Sequence, residues 1–269
     1  MTDARDTWQR AASASRRLGR RVEHHPVIAS TSDRAREALA APDGDGLAVV
    51  ADLQTRGRGR RGRAWLSPSG RNLMVSVGCR PRLSQTAAGW LGAAVAVATR
   101  DACQATAPRS GLAVRWPNDV VDADGAKLAG VLVETVIEGT SLTEAVLGIG
   151  INVNWRRAEM PAEIAGRSTS LADLAGSEID RVELLAALLD RLDREVGLLE
   201  DGRSPIPRLR DVLAFRGRPV VVERGDGQLT GTVLGLDDDG ALVIESADGR
   251  HALTAGEVVR VTDPARVNR

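Results

Sequence analysis

The stretch Gln54-Thr55-Arg56-Gly57-Arg58-Gly59-Arg60-Arg61-Gly62-Arg63-Ala64-Trp65 places five arginines within eight residues. A segment so charged cannot enter a core and must run over the surface between its flanking elements. On one side, residues 47–53 form an apolar run of strand length. On the other, residues 72–79 alternate, with Leu73, Val75 and Val77 on one face. The chain is therefore expected to lift a glycine-arginine loop out of a sheet. The whole protein carries 36 basic against 36 acidic side chains, so this concentration of charge is local and reads as an anion cradle. Guanidinium groups supply fork-shaped donors for phosphate or carboxylate. The glycines let the backbone approach a ligand closely. Mutual repulsion of the arginines, spaced by glycines, predicts a loop that takes a fixed form only over its ligand. No Gly-Lys-Ser/Thr follows, so the loop is not a P-loop, and its spacing does not fit a dinucleotide fingerprint.

Tyrosine is absent and one phenylalanine accompanies five tryptophans, so the core has to be built from Leu, Val, Ile and Ala. With 43% apolar residues, 269 residues can bury such a core in one large or two smaller domains. Balanced charge argues against a bulk nucleic-acid or membrane binder. Cys79 and Cys103 form no CxxC pair, and His24, His25 and His251 lack metal-ligand spacing, so no metal-ligating residues are expected. No apolar run approaches the roughly 20 residues of a membrane span. The polar, arginine-rich start lacks a signal core. A cytoplasmic protein with reduced thiols is expected.

Residues 1–21 read as a frayed helix, and from Pro26 helix and strand signals mix. Thr31 or Ser32 is expected to cap a short helix through residue 41. Ser84 is expected to cap a long helix to about residue 103, whose Leu91, Ala94, Val95 and Ala98 recur at helical spacing. Strands are expected at 113–116, 128–137 and 145–153, the last two as a hairpin. Residues 154–168 read as a loop anchored by Trp155 and Met160. An amphipathic helix follows from Asp180 through 199, then a proline-marked linker and a short helix at 209–215. After Pro219, five short strands separated by Gly and Asp turns suggest a small SH3-like barrel. The fold class is α+β with a compact β domain at the end.

Three further segments carry chemistry. In Arg115-Trp116-Pro117-Asn118-Asp119, Pro117 turns the chain and presents Asn118 and Asp119. In Lys127-Leu128-Ala129-Gly130, Lys127 is the only lysine in a chain whose other basic residues are all arginine, which suggests a need for a compact ammonium. In Gly148-Ile149-Gly150-Ile151-Asn152-Val153-Asn154, small residues alternate with isoleucine and admit a close neighbour. Each segment alone also fits an ordinary role: a turn, a solvated lysine, a sheet bulge. The arginine loop alone also fits an RNA-binding tract.

Taken in order, GRGRRGRxW, WPND, KLAG and GIGIN resemble the biotin protein ligase family, here without an N-terminal DNA-binding domain, over roughly residues 27–261. The resemblance implies a mixed-sheet biotin/lipoate ligase-like catalytic domain with a C-terminal SH3-like β-barrel. The expected division is a tail at 1–25, a catalytic domain at 26–215 and a β domain at 216–269. By the same resemblance, Ser30, Thr31 and Gln54 look like contacts to biotin's ureido ring. Arg58 and Arg60 would fold over biotin's valerate and the adenylate phosphate, and Gly57, Gly130 and Gly148 would give backbone access. Arg63 and Trp65 would lie near the nucleotide phosphates and adenine. Asn118, Asp119 and Asn152 would surround phosphate and ribose, and Lys127 would meet the carboxylate and α-phosphate. Lys127, Arg60 and Asp119 are the expected catalytic set, with Asp119 near Mg²⁺ or taking up a proton. ATP and biotin are the implied substrates, Mg²⁺ the implied ion, and the biotin carboxyl carrier domain of an acyl-CoA carboxylase the implied partner. No DNA or membrane is expected, and the chain would be a monomer or a weak, ligand-dependent homodimer. Ala64 departs from relatives that carry lysine there, and the loop after Asn154 matches poorly, leaving Trp155 as a candidate lid aromatic. Three other readings stand beside this one: a lipoate protein ligase, a ligand-responsive nucleic-acid-binding regulator, and a non-catalytic biotin sensor.

Overall fold

A computed structural model describes residues 4–13 and 16–261; residues 1–3, 14–15 and 262–269, which fall within the expected tail and barrel, lie outside the described residues. Along the chain, the first sheet is built from β1 (Arg21–Ile28), β2 (Leu47–Gln54), β3 (Leu73–Cys79), β4 (Leu83–Ser84), β5 (Ala113–Arg115), β6 (Asp119–Val121), β7 (Lys127–Glu138) and β8 (Ser141–Ile151). They pair in the order β1-β2-β3-β8-β7-β6-β5, with β4 also on β8. β1 and β2 are parallel and the other neighbours antiparallel, which makes the sheet mixed. The helices are α1 (Ala4–Gln9), α2 (Thr31–Leu39), α3 (Gln85–Ala88), α4 (Leu91–Thr106), α5 (Ala162–Ala165), α6 (Leu171–Ala175), α7 (Arg181–Glu200) and α8 (Ile206–Asp211).

Strand alternation decides which face becomes the site. Leu73, Val75, Val77 and Cys79 of β3, with Ala145, Leu147, Ile149 and Ile151 of β8, join the main core together with α4 and α7. Their neighbours Ser76, Gly148 and Gly150 therefore point to the opposite face. There α2 packs Ala35, Ala38 and Leu39 on Val49 and Val146 and covers only one end. The rest of that face, poor in side chains, stays open. The expected cap Asp180 accepts from the Val182 and Glu183 amides at the start of α7.

The second sheet contains β9 (Pro219–Arg224), β10 (Gly227–Leu236), β11 (Leu242–Ser246), β12 (Gly249–Leu253) and β13 (Glu257–Val261), paired antiparallel in the order β12-β11-β10-β9-β13. This is the SH3-like unit. Its core also takes in Val97, Val114, Trp116, Ile206 and Leu209, so it is seated on the preceding segment rather than hung from it. Two indoles complete the seat: Trp90 Nε1 donates to Asp239 O at 3.0 Å and Trp116 Nε1 to Gly240 O at 3.1 Å.

Several expectations need correction. Ser30, not Thr31 or Ser32, caps α2, accepting from the Asp33 amide at 3.3 Å. Ser84 caps only the four-residue α3; the chain breaks at Gly89 and Trp90 before α4 begins, and the Trp90 indole there reaches the second sheet. α8 starts at Ile206 because Pro205 and Pro207 initiate it instead of preceding it, proline being tolerated in a first helical turn. β1 and β6 went unforeseen. β1 is an edge strand interrupted by Pro26, and β6 has only three residues. The expected tail boundary at residue 25 falls inside β1, and Trp8, Ala11 and Leu18 are buried in the main core. Among the described residues no helix is long and apolar enough to cross a membrane.

Trp8 holds the N-terminal segment down. Its ring stacks on His24 at 5.3 Å between centroids, and the Arg181 guanidinium lies over it at 5.3 Å. His24 Nε2 and Arg181 Nη1 both meet Asp52, at 2.9 and 3.0 Å. Trp8→Ala should therefore lower unfolding stability by about 3–5 kcal/mol in urea melts. A loss under about 1 kcal/mol, the size of a surface substitution, would show that the segment is not part of the cooperative core.

Candidate functional site

The open face of the first sheet floors a cavity of about 460 Å³, roofed by the arginine loop and walled at one side by β13. The loop is a hairpin: the Trp65 amide donates to Gly57 O at 3.0 Å and the Gly59 amide to Arg63 O at 2.6 Å. Arg61 and Gly62 make the turn in left-handed conformations, with φ of 55° and 71°. Carboxylates from distant elements supply the counter-charge. Arg58 forks onto Asp33 at 2.7 and 3.0 Å and lies 3.6 Å from Glu134. Arg63 pairs with Glu257, and Arg61 lies 3.8 Å from Glu223. The hydrogen bond to Arg58 holds the Asp33 carboxyl below its ordinary value, against the opposing effect of burial. Arg60 instead donates to Asn118 Oδ1 at 2.9 Å. Burial pulls its guanidinium down from the ordinary value, with Glu257 opposing; an arginine stays charged regardless.

At one end of the cavity lies a polar floor. Gln54 Oε1 accepts from the Thr31 amide at 2.8 Å and from Thr31 Oγ1 at 3.1 Å. Ser76 Oγ lies 2.8 Å from Thr31 Oγ1 and 3.0 Å from Ser32 Oγ. A Cβ on Gly148 would sit 3.2 Å from Ser32 Oγ and 3.0 Å from Leu132 O, so glycine there keeps room above the hydroxyls. Because Ser30 takes over capping, Thr31 and Ser32 are free to face this floor.

The other end is cationic. Lys127 Nζ meets Asp119 Oδ1 at 2.7 Å, and Arg115 Nη2 meets Asp119 Oδ2 at 2.7 Å. Burial alone would raise the Asp119 carboxyl, but the two cations outweigh it and hold it below its ordinary value. The Lys127 ammonium also lies 5.5 Å from the centroid of the Trp65 ring. That ring rests on bare backbone: a Cβ on Gly150 would come 2.5 Å from it, and one on Gly130 3.2 Å. Gly130 and Gly150 are register partners on β7 and β8, so together they form the seat. Among the described residues, buried Trp65 Nε1 has no hydrogen-bond partner. An unpaired buried donor costs about 1–3 kcal/mol, so it awaits an acceptor.

Of the expected site residues, Thr31, Gln54, Arg58, Arg60, Arg63, Trp65, Asn118, Asp119, Lys127, Gly130, Gly148 and Asn152 all line this cavity. Ser30 and Gly57 do not. Ser30 is occupied as a helix cap, and glycine is needed at 57 because a Cβ would press within 2.9 Å of Trp65 O across the hairpin. Asn152 is more engaged than expected: its amide donates to Thr169 O at 3.1 Å and Lys127 O at 3.4 Å, so it ties down the lysine's backbone. The floor residues Ser32 and Ser76, the Asp119 partner Arg115 and Glu257 of β13 were missed, while Gly150 lies in the stretch of small residues expected to admit a close neighbour. Alternation could have found Ser76, the register partner of the expected Gly148. No local signal marks Glu257. Trp155 does line the cavity and is buried. Burial pushes the Cys79 and Cys103 thiols up to about 12, which excludes both as nucleophiles at neutral pH.

The segments that build this cavity are similar to known proteins. Residues 25–152 match the family described as biotin/lipoate A/B protein ligase, and residues 215–261 match the biotin protein ligase C-terminal domain. A biotin–acetyl-CoA-carboxylase ligase of Paracoccus denitrificans is 34% identical over 238 residues, covering 86% of this chain and 98% of its own. The chain belongs to the biotin protein ligase family. A ligase of the same name from Mycobacterium tuberculosis is 32% identical over 247 residues, covering 87% of this chain and 88% of its own. Among solved structures, the biotin protein ligase of Aquifex aeolicus in complex with biotin and ATP is similar with a TM-score of 0.74 at 30% identity, over 90% of this chain and 99% of that one.

The ion set around Asp119 makes a pH-dependent prediction. A depressed folded-state pKa contributes stability above the unfolded value of about 3.9, and that stability is lost as pH falls through the lower folded value. Asp119→Asn should cost about 3 kcal/mol at pH 7, since it strands two cations. In urea melts the gap between wild type and variant should close as pH is lowered below about 4. A gap independent of pH would refute the pairing. Separately, Gly150→Ala should unseat the Trp65 indole and lower biotin affinity; unchanged affinity would remove the indole seat from the site.

Proposed function

We propose that this chain joins biotin to ATP as biotinyl-5′-adenylate, releasing pyrophosphate, and then transfers the biotinyl group to a lysine of a biotin carboxyl carrier domain. The observation that carries this reading is that one cavity holds the polar floor at one end and Lys127 at the other. A ureido group pairs naturally with the hydroxyls and amide of Thr31, Ser76 and Gln54. A carboxylate extended from it then meets the Lys127 ammonium.

Both reactants of the first step are anions, so repulsion is the main barrier. Lys127 and Arg60 lower it by neutralising the carboxylate and the α-phosphoryl oxygens and by holding the two in line. The carboxylate oxygen bonds to the α-phosphorus as the bond to pyrophosphate breaks. In the second step the acceptor amine attacks the acyl carbon, AMP leaves, and one proton is lost from the nitrogen. Asp119 is a poor base for that proton because its two oxygens are held by Lys127 and Arg115. Its role here is to position the lysine. The same occupation makes Asp119 a poor Mg²⁺ ligand, and among the described residues no group of three or more His, Cys, Asp or Glu is arranged to hold a metal. Magnesium, as a hard cation that keeps most of its waters, would arrive on the triphosphate and supply charge neutralisation there. The Trp65 Nε1 donor is assigned to the nucleotide or acyl group beneath it.

The catalytic work is assigned to residues 26–215 together with the N-terminal segment packed on them, and the 216–269 unit to closing the site. The chain is assigned to the cytoplasm, with no DNA partner, as a monomer or a ligand-dependent homodimer. The match of residues 215–261 to a biotin protein ligase domain favours biotin over lipoate.

Labelled biotin and ATP should give label on a carboxyl carrier domain, and omission of ATP should abolish it. Labelled lipoate transferred in place of biotin would overturn the substrate. Lys127→Ala should slow adenylate formation by about 100-fold or more while ATP still binds. Unchanged adenylation would remove Lys127 from the chemistry.

A further inference from the structure

β9 and β13 set Glu223 and Glu257 directly opposite each other. Residues in such register share a face of the sheet, and like charges there repel. The cations that meet them belong to the arginine loop: Arg63 pairs with Glu257, whose side chain is 13% exposed, and Arg61 approaches Glu223 at 3.8 Å. The turn is shaped to allow this. Left-handed Arg61 and Gly62 let Arg60 face inward onto Asn118 while Arg61 and Arg63 face the barrel. Glu257 with the following Val258 and Val259 also walls the cavity itself.

We propose that Glu223 and Glu257 form a paired carboxylate receptor that seats the arginine loop across the cavity and sets how long the activated acyl group stays enclosed. The role is one of positioning. The glutamates reach the chemistry through Arg61 and Arg63, and the retention role rests on the adenylate-forming reading above. A mixed anhydride survives only while water is kept out. A roof held by ion pairs at the rim opens at a rate set by those pairs. Each pair is partly exposed and individually weak, but both act on the same short hairpin. Their attraction is screened by salt, so enclosure should weaken as ionic strength rises.

The test compares wild type with Glu223→Gln/Glu257→Gln. Each protein is loaded with ATP and labelled biotin and stripped of free ligand. Loss of bound biotinyl-adenylate is followed at low and at 1 M salt, and trypsin cleavage within residues 56–63 is followed in parallel. Thermal melts establish that the variant is folded, and Glu223→Gln alone serves if the double variant is not. At low salt the double variant should lose adenylate about five- to tenfold faster, the product of two exposed pairs. Cleavage of its loop should rise in step, and wild type should approach the variant at 1 M salt. A folded variant that holds adenylate and resists trypsin as wild type does would overturn the proposal. So would wild-type retention that is indifferent to salt. Should wild type form no adenylate at all, the functional reading fails by itself, and trypsin cleavage still decides whether the glutamates seat the loop.

Discussion

Asp119 is a carboxylate buried at the end of a short strand, and a buried charge is tolerated only when it is paired. Its two oxygens meet Lys127 on one side and Arg115 on the other. Much of the site is arranged around that requirement. The β6–β7 pairing carries a register irregularity between Lys127 and Ala129, Asn152 just past β8 holds the lysine's carbonyl, and the ammonium lies over the Trp65 ring. The ammonium so held lines the cavity. That is where an anion pair needing neutralisation would have to sit.

The roof obeys the same rule at the scale of the whole molecule. Five arginines in eight residues would repel each other, and the acids that pair with three of them, Arg58, Arg61 and Arg63, come from α2, β7, β9 and β13. Net neutrality is thus not an average over a featureless surface. Part of the acidic complement lies against the loop, while Arg60 reaches Asn118 instead of a carboxylate. Both β9 and β13 supply counter-charge to the loop, and β13 also walls the cavity through Glu257, Val258 and Val259.

Much of this was legible in the chain. The loop between two strands, the apolar stripe of α7 with its Asp180 cap, and five C-terminal strands follow from patterns that span only a few residues. So do most cavity residues, because the motifs that carry them sit at strand ends on one sheet. What escaped was non-local. The break before α4 lies where the Trp90 indole meets a carbonyl nearly 150 residues away. Ser30 and Thr31 exchanged roles because a cap position depends on where the preceding strand delivers the chain. The N-terminal segment looked like a tail because Trp8 has no local partner; its partners are His24 and Arg181.

By itself, the sequence determined the family, the α+β architecture and the presence of an anion-holding loop, since periodicity and motif order survive without coordinates. Tertiary structure alone decided which charges face the ligand. Adjacent arginines are equivalent in sequence, and only the hairpin turn and the position of each carboxylate separate Arg60, which reaches Asn118 across the cavity, from Arg58, Arg61 and Arg63, which are held by carboxylates. The same holds for Asp119: its chemistry as a partner or as a base depends on what lies within 3 Å of each oxygen, and that is a property of the fold.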